Sequence, residues 1–346
     1  MNLDERKKKI LATVVENYIE SAEPVASKTI AEKYEREFSS ATIRNEMKQL
    51  EDIGLLEQPH ISAGRVPSTK GYRYYVDNLM KDNMLTMVDI DYINNNIVSY
   101  GSAQATLENA ANVISKVLKL PTLLHIQDKD VIENVKILKV SDKVLLIILM
   151  SKAGAVKDVI IKITDTVPED KLDELNKVLN QNLKGTPLEN LPNILSSAIN
   201  EQLNKFSDIL NALALSINYE MKENVTNNVK TDVKSLLDVP EFSDTNRMKE
   251  LLNILGTKEI INEVMNKINE NDVSIVIGSE HHDLLLKDYS IVSLDIENPA
   301  INTKLAVLGP KRTDYSKAVA TLKYVNTKLK NIFSKNENEE DVESGK

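Results

Sequence analysis

The stretch from Ser39 to Pro67 restricts the fold more than any other part of this chain. Its first half reads as a short helix. Ser39 or Ser40 supplies an N-cap oxygen for a free backbone N–H of the first turn. Gly54 sits where a left-handed C-terminal residue is wanted. At about 100° per residue, Ile43, Met47 and Leu50 share one stripe, and Ala41, Asn45 and Lys48 lie opposite, with Thr42, Arg44 and Gln49 on the shoulders. The second half reads as a hairpin. Leu55-Leu-Glu57 is a short strand, Ser62-Ala-Gly64 is turn chemistry and Arg65-Val66 is the return. Pro59 and Pro67 flank it, which suits the edge of a small sheet. A helix of this kind followed by such a hairpin predicts a recognition helix and its wing.

The side chains on the open face match groove chemistry. Arginine forks onto a guanine edge, asparagine or glutamine pairs with adenine, and a small alanine or a threonine methyl meets a thymine methyl. The other reading is an ordinary solvated helix face; the hairpin behind it favours the first. Gln58–Val76 carries Arg65, Lys70 and Arg73 and no carboxylate, as a wing beside phosphates requires. His60 is a phosphate donor or a plain surface histidine. Candidate nucleic-acid contacts are therefore Thr42, Arg44, Asn45, Lys48 and Gln49 on bases and backbone, with Ser40, His60 and Arg65 on phosphate or minor groove.

Overall charge does not carry this reading. The 346 residues hold 43 Lys+Arg against 52 Asp+Glu, net −9, and residues 1–82 are near neutral with 13 and 14. Binding must come from local placement, with an acidic body behind a locally basic face. There is no cysteine, which excludes disulfides, thiol catalysis and cysteine zinc sites and fits a reducing compartment. The charged start, Asp4-Glu-Arg-Lys-Lys-Lys9, is unlike a signal peptide. The longest apolar run, Val144–Met150, is too short to span a bilayer. A soluble cytoplasmic protein is expected.

In chain order, Leu3–Glu20 is a helix on Leu3, Ile10, Leu11, Val14, Val15, Tyr18 and Ile19. Its Arg6–Lys9 cluster is a solvated face or a phosphate contact. Ser27–Tyr34 is a second helix, and with the turn Glu35–Phe38 and the helix after it completes a helix-turn-helix. Ser68–Met80 closes this region, and its tyrosines should pack on the wing or on a second subunit. Residues 82–95 lead into a helix at Ala105–Leu120. Glu133–Val140, Lys143–Met150 and Ala155–Ile163 predict an antiparallel meander. Lys171–Leu183, Leu191–Leu203 and Phe206–Met221 are helical, as are Met248–Leu255 and Glu259–Asn269. Val273–Gly278, Ser290–Asp295 and Lys304–Leu308 are strands, and Asp314–Phe333 is a last helix. Strands, then helices, then strands suggest an α+β domain interrupted by a helical insertion. Asn336–Lys346, rich in Glu with one apolar residue, is expected to be disordered.

Several runs together resemble the heat-inducible transcription repressor family HrcA: Glu23-Pro-Val25, Ser39–Met47, Leu50–Leu56, Gln58–Pro67 and Gly71–Asp77, with Ile277–Glu280 and Leu308–Ser316 further on. The family usually has Thr where Ile61 stands. The resemblance implies a winged helix-turn-helix, a GAF-like α/β domain and a dimerising domain inserted in it. With the break points above, that gives 1–82 for the DNA-binding domain, 83–165 and 245–335 for the GAF-like domain, 166–244 for a mainly helical inserted dimerisation domain and 336–346 for an acidic tail. It further implies a homodimeric repressor of chaperone operons on an inverted-repeat (CIRCE-type) operator, released on heat stress and kept active by the GroEL chaperonin.

No enzyme is expected. His281-His-Asp283 places adjacent side chains in different directions with no second histidine cluster, which speaks against a metal. Gly309-Pro-Lys-Arg312 lacks the Gly-Lys-Ser/Thr ending of a phosphate loop. No cofactor is expected. Two other readings remain: a metabolite-sensing winged-helix regulator with a ligand in its GAF-like domain, and an interaction protein with a relic helix-turn-helix.

Overall fold

The computed structural model describes residues 3–34, 39–61, 63–81, 85–100, 102–128, 131–151, 156–187, 190–191, 194–195, 206–227, 229–230, 236, 238–257, 260–261, 273–297 and 301–344. The expected turn at 35–38 and most of the expected helices at 191–203 and 259–269 fall outside them. The chain divides into two compact units, one of residues 1–124, 229–295 and 304–346, the other of 125–228 and 296–303.

The first unit begins with a winged-helix head. Helix α1 (Glu5–Ser21) is N-capped by Asp4, whose carboxylate accepts from the Lys7 N–H. Helix α2 (Ser27–Lys33) follows, then α3 (Ser40–Asp52), where Ser39 is the cap and its Oγ accepts from the Thr42 N–H. Gly54 has φ +78° and stops α3 in the left-handed conformation anticipated for it. Strands β1 (Leu56–Glu57) and β2 (Val66–Pro67) pair antiparallel as the wing. Helix α4 (Thr69–Asn78) is capped by Ser68, which also donates to the Gly54 carbonyl at 2.6 Å. Ile10, Leu11, Val14, Ile30, Ile43, Met47, Leu50, Leu55 and Tyr72 form the head's core, the apolar stripes read above.

The body of this unit holds α5 (Met87–Asn96), α6 (Ala103–Leu118) and a five-stranded sheet. Its strands are β3 (Thr122–Asp128), β7 (Val229–Lys230), β8 (Ser274–Ile277), β9 (Tyr289–Glu297) and β10 (Ile301–Pro310), in the order β7-β3-β10-β9-β8. Helix α9 (Thr245–Gly256) follows β7 in sequence, and α10 (Tyr315–Ser344) packs on α6. Tyr315, Ala318, Leu322, Val325 and Leu329 form the buried stripe of α10. Its backbone stays helical through residue 344, so the tail expected to be disordered is corrected over 336–344. The Glu-rich composition there denies the segment a core, but glutamate, four of the nine residues of 336–344, is a good helix former and extends a helix already started.

The second unit is a three-stranded antiparallel meander, β4 (Ile132–Ser141), β5 (Val144–Ser151) and β6 (Val156–Lys162), with α7 (Glu169–Leu183) and α8 (Ser207–Asn227). Ile132, Val135, Ile137, Leu145, Ile147, Leu149, Val159 and Ile161 face Leu172, Leu175, Leu179, Leu210 and Leu213 in one core. The insertion therefore starts at His125, not at residue 166, and is mixed rather than mainly helical. The meander shares its core with α7 and α8, so those strands do not join the first unit's sheet. Residues 229–244, expected in the insertion, belong to the first unit.

Candidate nucleic-acid interface

Helix α3 separates its charges by face. Its buried acid, Glu46, points back toward α1, where Lys7 lies 3.0 Å and Arg6 3.6 Å from its carboxylate. The bonds to Asp4 and Glu46 hold the Lys7 amine above its ordinary pKa. Lys8 pairs with Glu5 at 2.8 Å. Lys7 and Lys8 are thus engaged within the head.

The opposite face is open. Arg44, Asn45 and Gln49 are exposed, and their side chains have no hydrogen-bond or ionic partner among the described residues. Lys48 is exposed too and lies 3.3 Å from Asp52 and 3.7 Å from Glu51, surface pairs of little strength. Ser40 shares a 3.0 Å hydroxyl hydrogen bond with Ser27, tying α3 to α2. Thr42 is half-buried with its hydroxyl 2.9 Å from Ser39 Oγ, so the cap engages its polar atom.

At the wing, His60 is exposed and Ile61 is 99% exposed, the most open large apolar side chain among the described residues. Gln58 organises this tip: its amide donates to the carbonyls of Ile61 and Ala63, both at 3.0 Å. Sequence reasoning passed over Gln58, because a glutamine beside a proline gives no local signal of folding back across a turn. Arg65 is engaged within the head. Its guanidinium donates to Glu51 at 2.9 and 3.1 Å, its side chain is only 16% exposed, and its backbone pairs with Val25 through two 2.9 Å bonds. Arg65 fastens the wing to α3 and the strand-like Val25 and does not stand free beside a phosphate. Of the eight candidates, Ser40, Arg44, Asn45, Lys48 and Gln49 are exposed on α3 and His60 is exposed at the wing, whereas Thr42 and Arg65 are half-buried. Among the described residues no group of His, Asp and Glu is placed to hold a metal ion.

A capped helix with an unpaired amide-and-guanidinium face, preceded by a packed helix and followed by a fastened wing, defines a winged helix-turn-helix DNA-binding protein. Residues 2–79 match the family described as the winged helix-turn-helix transcription repressor, HrcA DNA-binding, and residues 104–319 match the HrcA protein C-terminal domain. The heat-inducible transcription repressor HrcA of Ruminiclostridium cellulolyticum is 36% identical over 95% of this chain and 97% of its own length. That of Thermoanaerobacter pseudethanolicus is 32% identical over 98% and 100%. A solved structure described as a hypothetical protein at 2.2 Å resolution shares the fold, with a TM-score of 0.61 at 23% identity over 96% of this chain and 99% of that one. The chain belongs to the HrcA family of heat-inducible transcription repressors. This is a family of DNA-binding regulators, not of enzymes, and no helix among the described residues is long and apolar enough to cross a membrane.

Proposed function

We propose that this repressor acts in the cytoplasm as a homodimer on an inverted-repeat, CIRCE-type operator of chaperone genes and leaves it on heat stress. The observation that carries this reading is the unpaired face of α3 beside the fastened wing. Arg44, Asn45 and Gln49 meet base edges, Lys48, Ser40 and His60 meet backbone, and Thr42 and Arg65 hold the surface in shape. The test is a binding titration at two salt concentrations, comparing an inverted-repeat chaperone operator with a scrambled duplex. Asn45→Ala should weaken operator binding by about 1–3 kcal/mol and leave scrambled binding alone. Equal, salt-sensitive binding to both duplexes by the unaltered protein refutes sequence reading.

The homodimer reading rests on the outer face of the meander. Leu138, Leu146 and Ile160 form one cross-strand row there, and Lys136, Ile148 and Asp158 form the next. Ile160 is 64% exposed. A two-fold axis along β5 lays each sheet on its copy with β4 over the copy's β6. The apolar row then meets itself, and Lys136 meets the copy's Asp158 on both sides. Ile160→Asp should yield a folded monomer in sedimentation velocity; an unchanged dimer refutes this face. GroEL dependence fits a body of ordinary marginal stability that refolds only with help. If the purified protein refolds from urea and regains operator binding equally well with and without the chaperonin, that part is wrong.

The metabolite-sensing reading has one observation in its favour. A cleft of about 500 Å³ between α5 and α10 is lined by Asn94, Ile97, Tyr324, Thr327, Lys328 and Ile332. A small anion that raises the melting temperature and changes operator affinity would select it.

A further inference from the structure

We propose that two arginine clamps, Arg73 with Glu280 and Arg312 with Glu241, are positioning residues that hold the winged-helix head in one orientation on the body and so set the spacing of operator half-sites. This rests on the reading of the protein as a dimer on an inverted repeat, and it concerns residues that touch no DNA.

The Arg73 clamp crosses from head to body through three bonds, and the Arg312 clamp through one, its guanidinium being oriented for it by Glu241 on the body side. Arg73, on α4, donates from Nε to Glu280 at 2.8 Å and from Nη2 to the same carboxylate at 2.5 Å and to the Ile275 carbonyl at 2.6 Å. Its Nη1 donates to Asp77 at 3.2 Å. Glu280 is itself oriented, because it accepts the Ile277 N–H at 2.9 Å. Arg312 grips Glu241 through both Nε and Nη2 and donates from Nη1 to the Ile19 carbonyl at 2.7 Å, in the last turn of α1. The Arg312 and Glu241 side chains are 11% and 17% exposed. A cation at the C-terminal end of α1 is also favoured by the helix dipole.

The surrounding seam is equally specific. Tyr72 of α4 meets Tyr315 edge to face, with ring centroids 5.9 Å apart. Ser316 donates to the Lys81 carbonyl at 2.7 Å and so fixes the segment that leaves the head. Gly278, at φ +51°, lets Thr69 close in: a Cβ there would lie 2.6 Å from the Thr69 hydroxyl.

The choice of groups says what the seam is for. Desolvated ion pairs add little net stability compared with apolar contacts of the same size. A planar guanidinium bonded in two directions, however, accepts only one orientation of its partners. An apolar seam alone would let the head roll. A dimeric reader of an inverted repeat needs its two recognition helices at a fixed separation, set by the turn of the double helix. A rolling head tolerates many separations and loses the gain of simultaneous engagement. The clamps therefore act through the head's orientation.

The experiment uses the full-length chain. Because it has no cysteine, spin labels at Glu32→Cys on the head and Leu284→Cys on the body report one intrachain distance that needs neither dimer nor DNA. The unaltered clamps should give a single narrow distribution. Adding Glu241→Gln and Glu280→Gln, both on the body side and away from the head's core, should widen it at least about twofold. In parallel, unlabelled protein is titrated with operators whose half-sites are moved apart by successive base pairs, and with a single half-site. The wild-type protein should prefer one spacing by about tenfold or more. The double variant should lose most of that preference while half-site affinity stays within about twofold. A distribution that stays narrow, or a spacing preference that survives the double variant, overturns the proposal. Failure of the wild-type protein to prefer the operator over a scrambled duplex counts against the DNA reading instead, and the label distances still decide whether the clamps hold the head.

Discussion

The winged-helix head and the inserted unit use polar side chains in opposite ways. In the head, two carboxylates of α3 are held by cations of other elements: Glu46 by Lys7, Glu51 by Arg65. The amides and the guanidinium of α3 face solvent without partners among the described residues. In the insert the polar groups are turned onto backbone. Asn176 and Asn180 of α7 reach the free edge of β4, and each amide both accepts a strand N–H and donates to a strand carbonyl, at Ile137 and Val135 respectively. These asparagines act as a next strand would and close an edge that otherwise invites another chain. The apolar groups are left on the outer sheet face. One region offers hydrogen-bonding chemistry suited to base edges; the other blocks edge-to-edge pairing and leaves face-to-face packing open.

The largest expected effects come from the two cores and show whether the regions are independent. Leu50→Ala in α3 and Leu145→Ala in β5 each empty a fully buried site and should cost about 2–5 kcal/mol. Urea unfolding followed by a probe in each unit should show Leu50→Ala moving the head's transition and Leu145→Ala the insert's. A single shared shift would mean that the two regions unfold as one, and the contrast drawn above would have no energetic counterpart.

A smaller change tests the edge closure. Asn176→Ala leaves the Ile137 N–H and carbonyl at a buried edge without partners, while helix propensity slightly favours the alanine. The net should be a loss of about 2–4 kcal/mol in the insert, with light scattering rising on mild heating as β4 finds other strands. Leu50→Ala, at comparable destabilisation, should scatter less, because the head exposes no comparable strand edge. Equal scattering from the two variants would assign aggregation to unfolding in general and not to β4.

What could be read from the sequence follows the same division. The head's elements are short-range. The Ser39 cap, the Gly54 stop and the stripe Ile43–Met47–Leu50 are each set by residues a turn or two apart, and all are found in place. The meander was legible for the same reason, since alternation is local. Strand β3 was not: Leu123-Leu-His-Ile126 lacks clean alternation behind Pro121, and its partner β7 is two residues long and over a hundred positions away. Which sheet a strand joins is a tertiary fact, so the insertion boundary was displaced. The pairing of Arg65 with Glu51 was not legible, because the two lie on different elements. The exposed face of α3 was legible because it follows from the helical period alone, and among the described residues nothing pairs with it.

The mildest test uses alkali. Burial holds the phenols of Tyr75 in the head and Tyr289 in the body at about 12, against an ordinary 10, and pushes Tyr72 well above the ordinary value too. An unfolded chain gives up these protons from about pH 10, whereas the folded one keeps them until about pH 12. Across that window the folded state binds more protons, so its stability falls as pH rises and is unaffected below it. The insert's described core is aliphatic apart from Phe206 and has no such phenol. Alkaline unfolding should therefore remove the first unit's signal before the insert's. Tyr72→Phe should delay that step. The hydroxyl of Tyr72 is buried without a hydrogen-bond partner among the described residues, so its loss should be neutral or stabilising by up to about 1 kcal/mol at neutral pH. If Tyr72→Phe instead weakens the head at neutral pH, the hydroxyl has a partner in solution and the Tyr72–Tyr315 seam is more polar than its ring geometry implies.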